Sequence, residues 1–134
     1  MSLATEDRNR RMLRARDTID RSFAAPLDVQ ALARVAHVSP AHFSRQFRAT
    51  FGEPPHRYLQ RRRVERAMEL LRETPHPVTE ICFDVGFNSL GTFSRTFRAI
   101  VGESPSQYRA RFSGEGAALL VPACWAMAWM RPAG

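Results

Sequence analysis

Met12, Ala15, Ile19 and Phe23 recur at intervals of three and four, the spacing that lines apolar side chains along one face of a helix. The chain is therefore expected to open with an amphipathic helix whose apolar stripe needs cover. Downstream, Asp28 caps a short helical pattern running to about His37. Ser39-Pro40 then opens a second one, with serine as N-cap and proline at the first helical position. In that second segment Phe43 and Phe47, four apart, share a face. A longer pattern runs from Pro55 to Glu73, with apolar residues at Leu59, Val64, Ala67, Leu70 and Leu71, until Thr74-Pro75-His76-Pro77 breaks it. After the breaker the short pair returns. Pro77 leads into a helix that Gly86 ends, and Asn88-Ser89 caps the next. Ser106 to Phe112 makes a closing helix, stopped by Ser113-Gly114-Glu115-Gly116.

The return is a duplication. Laid over residues 92–111 at an offset of 50, residues 42–61 show 11 identities in 20 positions, against about one or two by chance. The shared residues are Phe43/Phe93, Ser44/Ser94, Arg45/Arg95, Phe47/Phe97, Arg48/Arg98, Ala49/Ala99, Gly52/Gly102, Glu53/Glu103, Pro55/Pro105, Tyr58/Tyr108 and Arg61/Arg111. Just upstream, Leu32-Ala33 matches Ile81-Cys82 at an offset of 49, so the second copy has one extra residue in its turn. Two short helices joined by a three-to-four-residue turn make a helix-turn-helix, and the chain has two. Two copies make a duplicated module rather than a solenoid. The expected organisation is an opening helix and first helix-turn-helix over 1–54, a linker helix over 55–74, a second helix-turn-helix with its closing helix over 75–112, and an apolar tail over 113–134.

Composition narrows the chemistry. The 134 residues fit one small domain or two very small ones. All 20 basic residues are arginine, set against 13 acids for a net charge of +7, and that balance points to a polyanionic partner. Of these, 15 arginines and 9 acids lie in residues 1–74, so the positive charge is concentrated on the opening helix, first unit and linker. A hydrophobic share of 44% with 9 phenylalanines excludes a disordered basic tail. Cys82 and Cys124 are far apart with no ligand-spaced neighbours, and His37, His42, His56 and His76 are scattered, so neither a disulfide framework nor a metal or cofactor is expected. Arg8, Arg10, Arg11, Arg14 and Arg16 are not followed by an apolar export core. The apolar run from Ala117 to Met130 is 14 residues, broken by Pro122, short of the roughly 20 that span a bilayer. A cytoplasmic location is expected. Within that run Val121, Trp125 and Trp129 would align on a helix starting at Pro122, and the segment either packs on the domain or docks a partner or second copy.

At 100° per residue, Ala41, Ser44, Arg45 and Arg48 fall opposite Phe43 and Phe47, and Gly91, Ser94, Arg95 and Arg98 fall opposite Phe93 and Phe97. An apolar back with a small-residue, arginine-bearing front suits a helix that enters the DNA major groove, where a guanidinium takes guanine O6 and N7 together. The 19-residue linker spans roughly 28 Å at 1.5 Å per residue. Major grooves on one face of B-DNA recur every ~34 Å, so such a connector suits two reading heads about one turn apart.

Arg63-Val64, Ala67, Leu71, Val78, Ile81-Cys82, Gly86-Phe87, Phe93, Phe97, Gly102 and Ser104-Pro105 resemble the signature of the AraC/XylS family of transcription regulators. The stretch SLGTFSRTFRAIVGESPSQYR is especially similar, and the resemblance covers about residues 8–112. It implies an all-α, homeodomain-like pair of helix-turn-helix subdomains on a long linker helix, bound to promoter DNA and acting on RNA polymerase, without catalysis. Carried over by position, the base readers are Pro40, Ala41, Ser44 and Arg45, and Leu90, Gly91, Ser94 and Arg95. Arg48, Arg61, Arg62 and Arg98 fall to the DNA backbone. Ala41 and Gly91 stand where other members often have longer side chains, so readout there is expected to be apolar or absent, with specificity leaning on the arginines, the serines and DNA shape. Cys82 takes a small buried position of the pattern and is expected as a core thiol. Two-domain members carry an effector or dimerisation domain ahead of this part; here one arginine-rich helix precedes it, which fits a stand-alone regulator or a fragment. The reading from a different class is a non-catalytic helical protein-interaction module whose charge serves solubility.

Overall fold

Described here by a computed structural model over residues 2–113, the chain forms seven helices and no strand among those residues. They are α1 (Leu3–Ser22), α2 (Val29–Ala36), α3 (Pro40–Phe51), α4 (Pro55–Glu73), α5 (Val78–Asp84), α6 (Leu90–Val101) and α7 (Pro105–Arg111). The all-α fold with two helix-turn-helix pairs, α2–α3 and α5–α6, is the one expected. The segment with Val121, Trp125 and Trp129 lies outside the described residues, as does Cys124. No helix among the described residues is long and apolar enough to cross a membrane.

The chain divides into two compact units, and the division falls between Arg62 and Arg63, inside α4. In unit 1, Met12, Ala15 and Ile19 of α1 pack with Leu32, Ala33 and Ala36 of α2 and with Phe43, Phe47 and Phe51 of α3. Tyr58 and Leu59, from the first turns of α4, close that core. In unit 2, Val64, Ala67, Met68 and Leu71 of the later α4 turns pack with Ile81, Cys82, Phe93, Phe97 and Tyr108. One continuous helix thus closes the first core and opens the second. Val64, Ala67 and Leu71 repeat the spacing of Met12, Ala15 and Ile19 at an offset of 52, which extends the duplication beyond the stretch found by overlay.

The two turns are built alike from different residues. In the first, the Val38 and His37 amides donate to Ala33 and Arg34 carbonyls; in the second, the Phe87 and Gly86 amides donate to Cys82 and Phe83. Each turn needs one left-handed residue. Gly86 takes it at φ 106°, whereas His37 takes it at φ 60°. A side chain in that region costs roughly 1–2 kcal/mol, part of which a glycine returns as unfolded-chain entropy. His37→Gly is therefore expected to raise stability by about 0.5–1 kcal/mol, and Gly86→Ala to lower it by about 1–2 kcal/mol, measured by urea unfolding. The extra residue of the second turn is Asn88, between Phe87 and the cap Ser89.

α7 starts at Pro105, one residue before the expected Ser106. Ser104 accepts from the Gln107 amide at 3.1 Å while the Gln107 side chain accepts from the Ser104 amide at 2.9 Å, a reciprocal cap that makes the proline the first helical residue. From α7, Arg109 donates to the Leu71 and Thr74 carbonyls at 3.2 and 3.1 Å, satisfying acceptors that the end of α4 leaves open.

Candidate nucleic-acid interface

α3 and α6 begin and end in the same way. Ser39 Oγ accepts from the His42 amide and Ser89 Oγ from the Thr92 amide, and both helices stop at a left-handed glycine, Gly52 at φ 82° and Gly102 at φ 95°. On the inner face the phenylalanine row repeats: Phe43–Phe47 centroids are 5.7 Å apart and Phe93–Phe97 5.8 Å, all four rings fully buried. Tyr58 and Tyr108 extend the rows at 5.9 and 5.7 Å.

That burial decides the outer face. Pro40, Ala41, Arg45 and Arg48 are exposed on α3, as are Leu90, Gly91, Arg95 and Arg98 on α6. Ser44 and Ser94 are half-buried, at the edge of the face beside the phenylalanine row. Among the exposed residues outside the expected readers, His42 and Thr92 are polar and take equivalent positions next to the arginines on the wheel. The signal for them was the helical wheel itself, since i and i+3 share a face. Neither α3 nor α6 contains an acid, and Arg45, Arg48, Arg95 and Arg98 have no acidic partner among the described residues.

Several other arginines are engaged. Arg11 pairs with Asp7 at 2.9 Å and Arg66 with Glu69 at 2.8 Å. Arg61 is only 19% exposed, pairs with Glu53 at 2.7 Å and lies over the Tyr58 ring. Arg111 repeats that arrangement with Glu103 and Tyr108. Arg62 lies 3.1 Å from Asp20. Arg63 sits over Phe87, and burial pulls its guanidinium below the ordinary value. Of the three consecutive arginines, then, each is held within its own unit. The outward arginines of α3 and α6 have no carboxylate partner among the described residues.

The tyrosines show where the units diverge. Tyr58 donates to Asp20 at 2.7 Å, and burial together with that carboxylate pushes its phenol far above the ordinary value. Tyr108 accepts from Arg72, which occupies the position of Asp20 at the offset of 52, and burial raises its phenol against that neighbouring charge. Cys82 is fully buried, donates weakly to the Ser89 carbonyl at 3.5 Å, and burial pushes its thiol up. His76, Glu80 and Asp84, all exposed, bring ligand-type atoms within 4.8 Å of one another at the start and outer side of α5. The four-residue spacing of His76 and Glu80 was the sequence signal for that grouping.

Fold and face together define a protein with two helix-turn-helix units, each presenting an acid-free arginine face. A family profile described as "Helix-turn-helix domain" matches residues 32–111. The C-terminal domain of AraT, a response regulator from Geobacillus stearothermophilus, is 34% identical with a TM-score of 0.73, covering 79% of this chain and 89% of that one. The DNA-binding domain of AdpA, a global transcriptional factor solved in complex with a target DNA, is 31% identical with a TM-score of 0.72, covering 75% and 91%. The transcriptional activator RhaS of Salmonella schwarzengrund is 36% identical over 69 residues, 52% of this chain and 25% of its own length. The chain belongs to the AraC-type helix-turn-helix family. It spans about a quarter of the length of the curated relatives it matches.

Proposed function

We propose that the chain is a sequence-specific double-stranded DNA-binding transcription regulator that inserts α3 and α6 into adjacent major grooves of a promoter. The observation that carries this reading is the duplicated outer face: the same arginine pair, unneutralised, standing on the same buried phenylalanine row. The DNA-bound AdpA domain, similar over three quarters of the chain, supports it. Arg45 and Arg95 read base edges with Pro40, Ala41, Ser44, Leu90, Gly91 and Ser94 around them. Arg48 and Arg98, one turn further on, take phosphates. Arg61 and Arg62 hold unit 1 together through Glu53 and Asp20, and they reach the DNA backbone only by exchanging those carboxylates for phosphate. The regulator acts in the cytoplasm on RNA polymerase and carries no catalytic step.

Affinity for duplex DNA measured against salt tests this. Each neutralised phosphate adds about 0.9 to the log-log slope, so Arg48 and Arg98 alone contribute about −1.8, and the measured slope is expected to be at least that steep. A flat slope with no preference among sequences contradicts DNA binding and leaves a protein-interaction module.

A further inference from the structure

Arg45 and Arg95 are equivalent residues, yet the structure holds only one of them. Arg95 donates to Thr92 Oγ1 at 3.5 Å, and Thr92 Oγ1 also accepts from Ser89 Oγ at 2.9 Å. Ser89 in turn caps α6 by accepting from the Thr92 amide at 3.1 Å. Both lone pairs of the threonine hydroxyl are thus used, and the guanidinium is tied to the helix cap through one side chain. Gly91 leaves the room this needs: a Cβ there would stand 3.4 Å from Arg95 Nη1, so a side chain longer than alanine would occupy the guanidinium's place.

In α3 the supporting position differs: Ala41, standing for Gly91, is still small, but His42 replaces Thr92. The His42 ring lies 2.8 Å from the Gln46 side chain, one turn on, and the Arg45 side chain makes no hydrogen bond or ion pair among the described residues. An arginine side chain carries about 2 kcal/mol of rotamer entropy, part of which is lost on docking unless the group is already held. A held guanidinium keeps its remaining donors for one base geometry, while a loose one follows whichever acceptor is near.

Resting on the DNA-binding reading above, we propose that Thr92 is a positioning residue that aims Arg95. The part of the site facing α6 is then read more stringently than the part facing α3. Thr92 acts through Arg95, and its hydroxyl is the group that matters.

The test uses the full chain and duplexes carrying a selected binding site, either intact or with single base-pair changes in the part read by α6. The readout is the ratio of matched to changed affinity. Thr92→Ala is expected to cut that ratio about tenfold, within the range one bidentate arginine contact supplies. Thr92→Ser, which restores the hydroxyl, is expected to keep it within about twofold. An unchanged ratio in Thr92→Ala overturns the inference. Equal weakening of matched and changed duplexes also overturns it, because that marks a backbone or purely structural role, and so does a ratio in Thr92→Ser as low as in Thr92→Ala. A wild-type chain without preference for any sequence would instead overturn the DNA-binding reading, and this inference with it.

Discussion

Phe97→Ala is expected to lower the free energy of unfolding by about 3–5 kcal/mol, read from urea denaturation. The ring is fully buried and meets Phe93 and Tyr108 edge-on or tilted, at 5.8 and 5.7 Å, so its removal leaves a cavity in the middle of the unit 2 core. Phe47→Ala is expected to cost the same, since Phe47 holds the equivalent place between Phe43 and Tyr58 in unit 1. Arg98→Ala, on the outer face of the same helix, should change stability by less than about 0.5 kcal/mol. A comparable loss in Arg98→Ala would mean that the arginine face takes part in packing rather than standing free.

On DNA the ranking should invert. Arg95→Ala is expected to lose about 1–3 kcal/mol of discrimination at the base pair it reads, a factor of roughly 5 to 150, with a smaller loss on random duplex. Arg98→Ala should weaken all sequences alike and reduce the salt slope by about 0.9, the signature of one phosphate contact. The difference follows from position: Arg95 lies in the first half of α6, with Gly91 and Thr92 beside it, whereas Arg98 lies in its last turn. Competition binding with matched, single-substituted and random duplexes separates the two. Equal losses on specific and random DNA in Arg95→Ala would remove it from the base-reading set.

Much of this architecture is legible in the chain. Serine-proline and asparagine-serine signals mark where α3 and α6 begin, and the proline-bounded run Pro55–Glu73 coincides with α4, because caps and breakers are local chemistry. The phenylalanine rows and the outward arginines follow from helical periodicity alone. The part of the duplication joining α1 to the later turns of α4 was hidden, since it survives as the spacing of buried residues with few identities. The Schellman turn at His37 was hidden too, because histidine there occupies a place that glycine advertises in the second unit. At the candidate interface, sequence placed Arg61 and Arg62 by charge. Their engagement with Glu53 and Asp20 depends on packing between distant segments, as does the burial at the edges of Ser44 and Ser94. The Arg95–Thr92 bond needs a side-chain rotamer, which periodicity does not specify.

Two reading heads on one chain make a prediction that no single-helix account shares. Selection of bound duplexes from a random pool by the wild-type chain is expected to enrich two short motifs with centres about one helical turn apart, roughly 10 base pairs, in fixed order and orientation. Enrichment of one short motif alone, or a bound pool as random as the input, would contradict the account of α3 and α6 as paired base-reading helices.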